Sequence, residues 1–171
     1  MNKLIFTFCL IVASVVVTFA QDNPIQADLK SKVKLALKNI ASDPTDFRDP
    51  VSINLSMVWS EDRKQLALIM KVNIEPQWHI YAFVPPSEPY IETELRLDLP
   101  EGLKPIGDWE LPQGHPYDGG VMLYKGNPVF IQYCSVDALP KNKEVEMGLR
   151  YQACDIHKCL IPTTKTKTLK L

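Results

Sequence analysis

The chain has 171 residues, 46% of them hydrophobic and 23% charged, the composition of an ordinary globular protein with one domain as the expected count. Its formal net charge is −1, which leaves no basic footprint for nucleic acid, so no nucleic-acid partner is expected. Fourteen prolines against seven glycines predict extended segments joined by firm turns.

Residues 1–20 are expected to lie outside the fold. Lys3 gives a short positive start, Leu4 to Phe19 form an apolar run, and Thr18-Phe19-Ala20 reads as a cleavage site before Gln21. That is the pattern of a secretory signal peptide. A membrane anchor would need about 20 apolar residues and no cleavage-like site. Nothing after residue 20 is long and apolar enough to cross a membrane. The expectation is an exported, periplasmic protein with no membrane span after cleavage. Cys9 leaves with the leader, and Cys134, Cys154 and Cys159 remain. Outside the cytosol cysteines tend to pair, and an odd count leaves one over.

Residues 21–46 form an N-terminal extension. Pro24 opens an expected helix, with Leu29, Val33, Ala36 and Ile40 at the 3–4 spacing of an amphipathic face. The helix either docks on the main domain or stays solvated. Asp43-Pro44 and Asp49-Pro50 then mark turns. From Val51 the pattern is β. Val51–Trp59 alternates, with Val51, Ile53, Leu55 and Met57 on one face, and a polar turn leads into a strand over Gln65–Ile74. Pro76–Phe83 is an aromatic-rich turn entering an extended run that Pro85–Pro89 interrupts. Thr93–Leu99 alternates again, and two further strands flank the polar loop Gln113–Gly120. Val129–Val136 reads as a strand in which a lone Cys134 behaves as a small buried hydrophobe. Short strands with frequent turns predict an all-β, immunoglobulin-like β-sandwich over 47–171, carrying the helical extension.

The stretch Tyr151–Pro162 holds Cys154 and Cys159 in a polar loop between two strand-like runs. A hairpin sets facing Cα atoms roughly 5 Å apart, within reach of the roughly 4.4–6.8 Å that a disulfide spans. The pair can therefore close or open without moving the strands, as a staple or as a switch. As a staple it closes only a short loop, and the entropic gain grows with loop length. As a switch it has His157 and Lys158 nearby, whose positive charge lowers a thiol pKa, and Asp155, which opposes them or acts as a base. Cys154, His157 and Cys159 also offer three zinc ligands. The second matched pair of a structural site is absent, His79, His115 and Cys134 being unmatched singles, so no metal and no cofactor are expected. No Gly-x-Ser-x-Gly element, His-Glu-x-x-His motif or thioredoxin-type C-x-x-C appears.

The run Tyr151-Gln152-Ala153-Cys154, a short gap with an acidic residue, and Cys159-Leu160-Ile161-Pro162 resembles the periplasmic N-terminal domain of the DsbD thiol:disulfide interchange proteins. Pro76-Gln77-Trp78-His79-Ile80-Tyr81 is similar to that domain's aromatic turn. Tyr117-Asp118-Gly119-Gly120, with Tyr124 and the Val129-Phe130 strand, is similar to its central loop. The resemblance covers roughly residues 47–171. It implies an immunoglobulin-like domain whose cysteine pair relays electrons as a component of protein-disulfide oxidoreduction. A thioredoxin-like domain or a membrane electron carrier would be the donor. A periplasmic disulfide isomerase or a cytochrome c maturation protein would be the acceptor. It further implies that Cys159 forms mixed disulfides and Cys154 resolves them, that Tyr117 caps the pair, and that His79 and Tyr81 stand beside it. The gap of four residues is one shorter than in some members, and His79 stands where a tyrosine is usual. The family's membrane and thioredoxin-like domains do not follow Leu171, so the expectation is either a stand-alone, monomeric domain with its reductant supplied in trans or a piece of something larger.

The other reading is a secreted β-sandwich binding module. Its hairpin disulfide would be purely structural, and its Trp78–Tyr81 and Pro85–Tyr90 surface would hold a protein or glycan.

Overall fold

The computed structural model describes residues 24–138 and 144–171. The expected leader and Cys9 lie outside the described residues. The described residues run through helix α1 (Ala27–Ala36) and ten strands: β1 (Val51–Trp59), β2 (Gln65–Ile74), β3 (Ile80–Phe83), β4 (Glu94–Asp98), β5 (Leu103–Glu110), β6 (His115–Pro116), β7 (Met122–Tyr124), β8 (Val129–Val136), β9 (Glu144–Tyr151) and β10 (Thr163–Lys170). All strand pairs are antiparallel. One sheet has the order β1-β2-β8-β5, a second β10-β9-β4, and a small third sheet β3-β7-β6. The described residues form an all-β, immunoglobulin-like sandwich with one short helix.

The two larger sheets face each other across one core. Alternation supplies it: Val51 and Ile53 from β1, Leu66, Leu68, Met70 and Val72 from β2, and Phe130 and Cys134 from β8 point inward. They meet Val145, Met147, Leu149 and Tyr151 of β9. Complete burial of a Leu, Ile, Val or Met side chain stabilises by about 1.5–3 kcal/mol, so this layer dominates the fold's stability. Cys134 is fully buried and, among the described residues, unpaired. Burial alone pushes its thiol up to about 12, which keeps it protonated and unreactive at neutral pH.

The opposite face of β2 and β8 is also dry. Leu29 and Val33 of α1 cover Ala67, Ile69, Ile131 and Tyr133. The helix is docked, and polar ties fix its N-terminal end. The Gln26 N–H donates to Gln65 Oε1 at 2.9 Å, and the Glu61 N–H donates to Asp28 Oδ2 at 2.8 Å. The regular helix stops at Ala36, short of the Ile40 that the spacing predicts. Leu35 lies off the buried face at 62% exposure, while Leu37 and Ile40 still pack on the sheet from the turn that follows.

β9 and β10 form the expected hairpin, in register from Tyr151↔Thr163 to Glu144↔Lys170. The ladder closes at Tyr151 and Thr163. The cysteines therefore sit past the shoulders, in the loop, where Cys154 and Cys159 face each other as an isolated pair.

Candidate functional site

The loop's backbone builds the site first. Asp155 accepts N–H bonds from His157 at 2.7 Å and Lys158 at 2.8 Å on one oxygen, Oδ1. Its own N–H donates to the Lys158 carbonyl at 2.9 Å. This is an Asx-type turn, and it brings the Cα atoms of Cys154 and Cys159 to 4.0 Å, with their sulfurs joined in a disulfide. The two backbone donors hold the Asp155 carboxyl below its ordinary value, that of His157 most strongly. Asp155 is thus engaged in shaping the turn. Lys158 places its ammonium 5.8 Å from the centre of the Trp78 ring, within cation–π range. His157 and Lys158 are exposed.

The second element is the start of β3. Gln77 adopts φ 73°, a left-handed conformation, and the Trp78 N–H closes the turn on the Glu75 carbonyl at 3.0 Å. The chain emerges with His79 paired to Cys154 by two backbone bonds, at 2.9 and 3.0 Å. This clamp fixes the buried half of the disulfide to the small sheet. Two residues on, Tyr81 is 1% exposed, and its hydroxyl donates to Cys154 Sγ at 3.1 Å. The same oxygen lies 3.9 Å from Cys159 Sγ. Burial raises the Tyr81 pKa above the usual tyrosine range, with Tyr90 and Tyr117 contributing, so the phenol stays protonated and remains a donor.

The two cysteines differ sharply in environment. Cys154 is 1% exposed and packs with Tyr81, Val121 and Leu123, whereas Cys159 is exposed. Around Cys159 the loop presents Ile156 at 82% and Ile161 at 88% exposure. Tyr117, 46% exposed, reaches this corner through His79, whose ring centre is 6.1 Å from its own. His79 packs edge-on to Tyr81 at 5.4 Å.

His79 has a consequence for stability. Burial depresses its pKa below the ordinary value, and Lys125 adds to this against a weaker opposing pull from Asp155. Below about pH 6.5 the unfolded chain takes up a proton at this position that the folded protein resists. The stabilisation is therefore complete above that pH and is lost as pH falls through the folded value. The urea midpoint is expected to drop between about pH 7.5 and 5.5, and to drop less in His79→Gln, as equilibrium unfolding at the two pH values will report.

The fold gathers Cys154, Cys159, His79, Tyr81 and Tyr117, the five residues the sequence points to, at one corner. Tyr90 joins them there without a signal in the sequence that places it at the site. The Tyr90 ring stacks on Tyr81 with centres 4.6 Å apart and planes 14° from parallel.

No protein-family model matches the sequence. No curated protein matches it either. Among solved structures, the chain is similar to the N-terminal periplasmic domain of ScsB from Proteus mirabilis. The TM-score is 0.51 at 18% identity, over 77% of this chain and 50% of that one. The chain thus spans about half the length of the ScsB domain it matches, and the likeness is one of fold. Fainter likenesses link it to the DsbD N-terminal domain of Neisseria meningitidis in the reduced form, with TM-score 0.40 and 14% identity over 61% of this chain and 76% of that one. The GAE domain of yeast GGA1 scores 0.40 at 14% identity, over 72% and 92%. Among the described residues, no helix is long and apolar enough to cross a membrane.

Proposed function

We propose that this protein is an exported thiol–disulfide exchange domain that relays electrons through the Cys154–Cys159 pair. The observation that carries the reading is the pair's asymmetry, with one sulfur buried under a phenol hydroxyl and the other residue open to solvent. A partner thiolate attacks Cys159 Sγ. A new partner–Cys159 disulfide forms, the Cys154–Cys159 bond breaks, and Cys154 leaves with the electron pair as a thiolate. The Tyr81 O–H donates to that thiolate, and a hydrogen bond to a charged acceptor is about twice as strong as a neutral one. The partner's second thiol then attacks its own sulfur in the mixed disulfide and releases Cys159. The partner ends oxidised and this protein reduced by two electrons; the reverse sequence passes them to an acceptor.

The exposed Ile156 and Ile161 beside Cys159 give a partner an apolar surface to cover. The donor in this reading is a thioredoxin-like domain or a membrane carrier. The acceptors are periplasmic thiol proteins of the disulfide-isomerase or cytochrome c maturation type. Tyr117, with His79, shields the pair until a partner displaces it, and His157 and Lys158 favour the thiolate at the loop.

The test is a trap. In Cys154→Ala, Cys159 activated as an aromatic mixed disulfide should yield a covalent heterodimer with an exported thioredoxin-like protein reduced to its attacking cysteine. Activated Cys154 in Cys159→Ala should yield little. Equal yields from both would defeat the assignment of Cys159 as the attacked sulfur.

A further inference from the structure

The segment from Val84 to Thr93 touches Tyr81, the start of the cysteine loop and the Tyr117 loop. Tyr90 stacks on Tyr81, and the Thr93 N–H donates to the Tyr81 carbonyl at 2.9 Å. The Ile91 N–H donates to Gln152 Oε1 at 3.3 Å, and Gln152 reaches on to the Leu160 carbonyl at 3.4 Å. That amide links the segment to both ends of the cysteine loop. On its other side the segment lies against the Tyr117 loop: a Cβ added at Gly119 would come 2.7 Å from Glu88 Oε1, and one at Gly120 would come 3.6 Å from Pro85 Cγ. Three prolines, at positions 85, 86 and 89, fix φ along the turn and lower the entropy it loses on ordering.

The Tyr81 hydroxyl reaches Cys154 Sγ at the far end of a long side chain. A small rotation of its ring would carry the oxygen out of hydrogen-bond range. Tyr90 covers that ring face to face, with an energy beyond simple area burial. We propose that Tyr90 is a positioning residue of the exchange site: its stack holds the Tyr81 hydroxyl on Cys154 Sγ, so that Cys154 departs as a hydrogen-bonded thiolate when Cys159 is attacked. The proposal rests on the exchange reading above and assigns its leaving-group control to a residue that acts on Cys154 through Tyr81. The step adds no co-reactant. The electron pair moves onto Cys154, and the phenol proton stays on Tyr81 and is shared in the hydrogen bond.

The experiment uses the full chain and two small probes, dithiothreitol as reductant and iodoacetamide as alkylating agent. The pH dependence of Cys154 alkylation is measured in a Cys159→Ser background, and the rate of disulfide reduction in the two-cysteine protein. Tyr81→Phe removes the hydroxyl, Tyr90→Leu removes the stack, and Tyr90→Phe keeps it. Tyr81→Phe should raise the Cys154 thiol pKa and slow reduction by about tenfold, the scale of a hydrogen bond to a charged group. Tyr90→Leu should follow in the same direction by at least about threefold, with Tyr90→Phe restored to the native value. Should Tyr90→Leu lose its fold by circular dichroism, Tyr90→Met carries the same comparison. Native values in the unstacked variant, or an equal loss in Tyr90→Phe, would overturn the positioning role. A native disulfide that dithiothreitol does not reduce would instead overturn the exchange reading itself.

Discussion

Replacing Cys159 with serine is expected to reduce exchange to background while leaving the fold intact. The residue is exposed and lies in a loop beyond the β9–β10 ladder, so the core loses nothing. Cys154, left alone, is buried beneath Tyr81 and clamped to His79. Its thiol is then reached slowly by a small reagent and hardly at all by a protein partner. The mirror variant, Cys154→Ser, leaves a reactive sulfur in the open. Alkylation of Cys159 in that variant should be at least about tenfold faster than alkylation of Cys154 in Cys159→Ser, since thiol reactivity follows exposure and thiolate character. Cys134 should remain unlabelled in both until the protein is unfolded, because burial keeps its thiol protonated. Competition labelling followed by peptide mass analysis reads all three cysteines in one sample.

Gly148→Ala is expected to produce the largest loss of stability of any methyl-sized substitution in the second sheet. Gly148 lies in the middle of β9, facing Thr166 of β10 on one side and Arg96 of β4 on the other. A Cβ there would run into the backbone of β10: it would strike the Lys165 carbonyl and come 2.7 Å from Thr166 Cα. The obstacle is main chain, so no rotamer change relieves it. Either β10 moves away or the ladder breaks. Overpacking of this kind costs about 3 kcal/mol and occasionally more, which corresponds to roughly 10 °C in Tm for a chain of this size. The hairpin carries the cysteine loop, so the variant should also lose the His79–Cys154 clamp and reduce faster. Thermal unfolding followed at two wavelengths will show whether the hairpin leaves with the rest of the sandwich or before it.

The large-scale architecture was legible because strand periodicity is a local signal. Val51, Ile53, Leu55 and Met57 alternate, and the strand they predict is there with Val51 and Ile53 in the core. The run Leu66-Ala67-Leu68-Ile69-Met70 does not alternate, and the fold explains why. Its odd members meet α1 while its even members meet the opposite sheet. An unbroken apolar strand is what two covered faces require. Cys134, read as a buried small hydrophobe, is fully buried.

The site was legible only in part. The cysteine pair stood out by composition, and the two residues are joined. The clamp from His79 to Cys154 joins positions far apart in the chain, and no periodicity encodes it. Tyr90 was harder still. It follows a proline-interrupted stretch with no repeating pattern, and its stack on Tyr81 exists only because the chain folds back on β3. A tyrosine immediately after such a rigid turn is the signal available, and it fits the ligand surface of a binding module equally well. Asp155 shows the converse. Its place beside His157 and Lys158 points to electrostatic tuning, yet its carboxylate is taken up by the backbone of its own turn.

The central claim is that the Cys154–Cys159 bond is a switch, and its reduction potential tests that most directly. Equilibration of the full chain against a glutathione or thioredoxin couple, with the redox states separated after thiol alkylation, gives the value. A working relay should fall between about −120 and −270 mV, the span of thiol–disulfide exchange proteins. A potential below about −300 mV would mark a structural bond and would contradict the account, leaving a β-sandwich whose hairpin disulfide only fastens a loop.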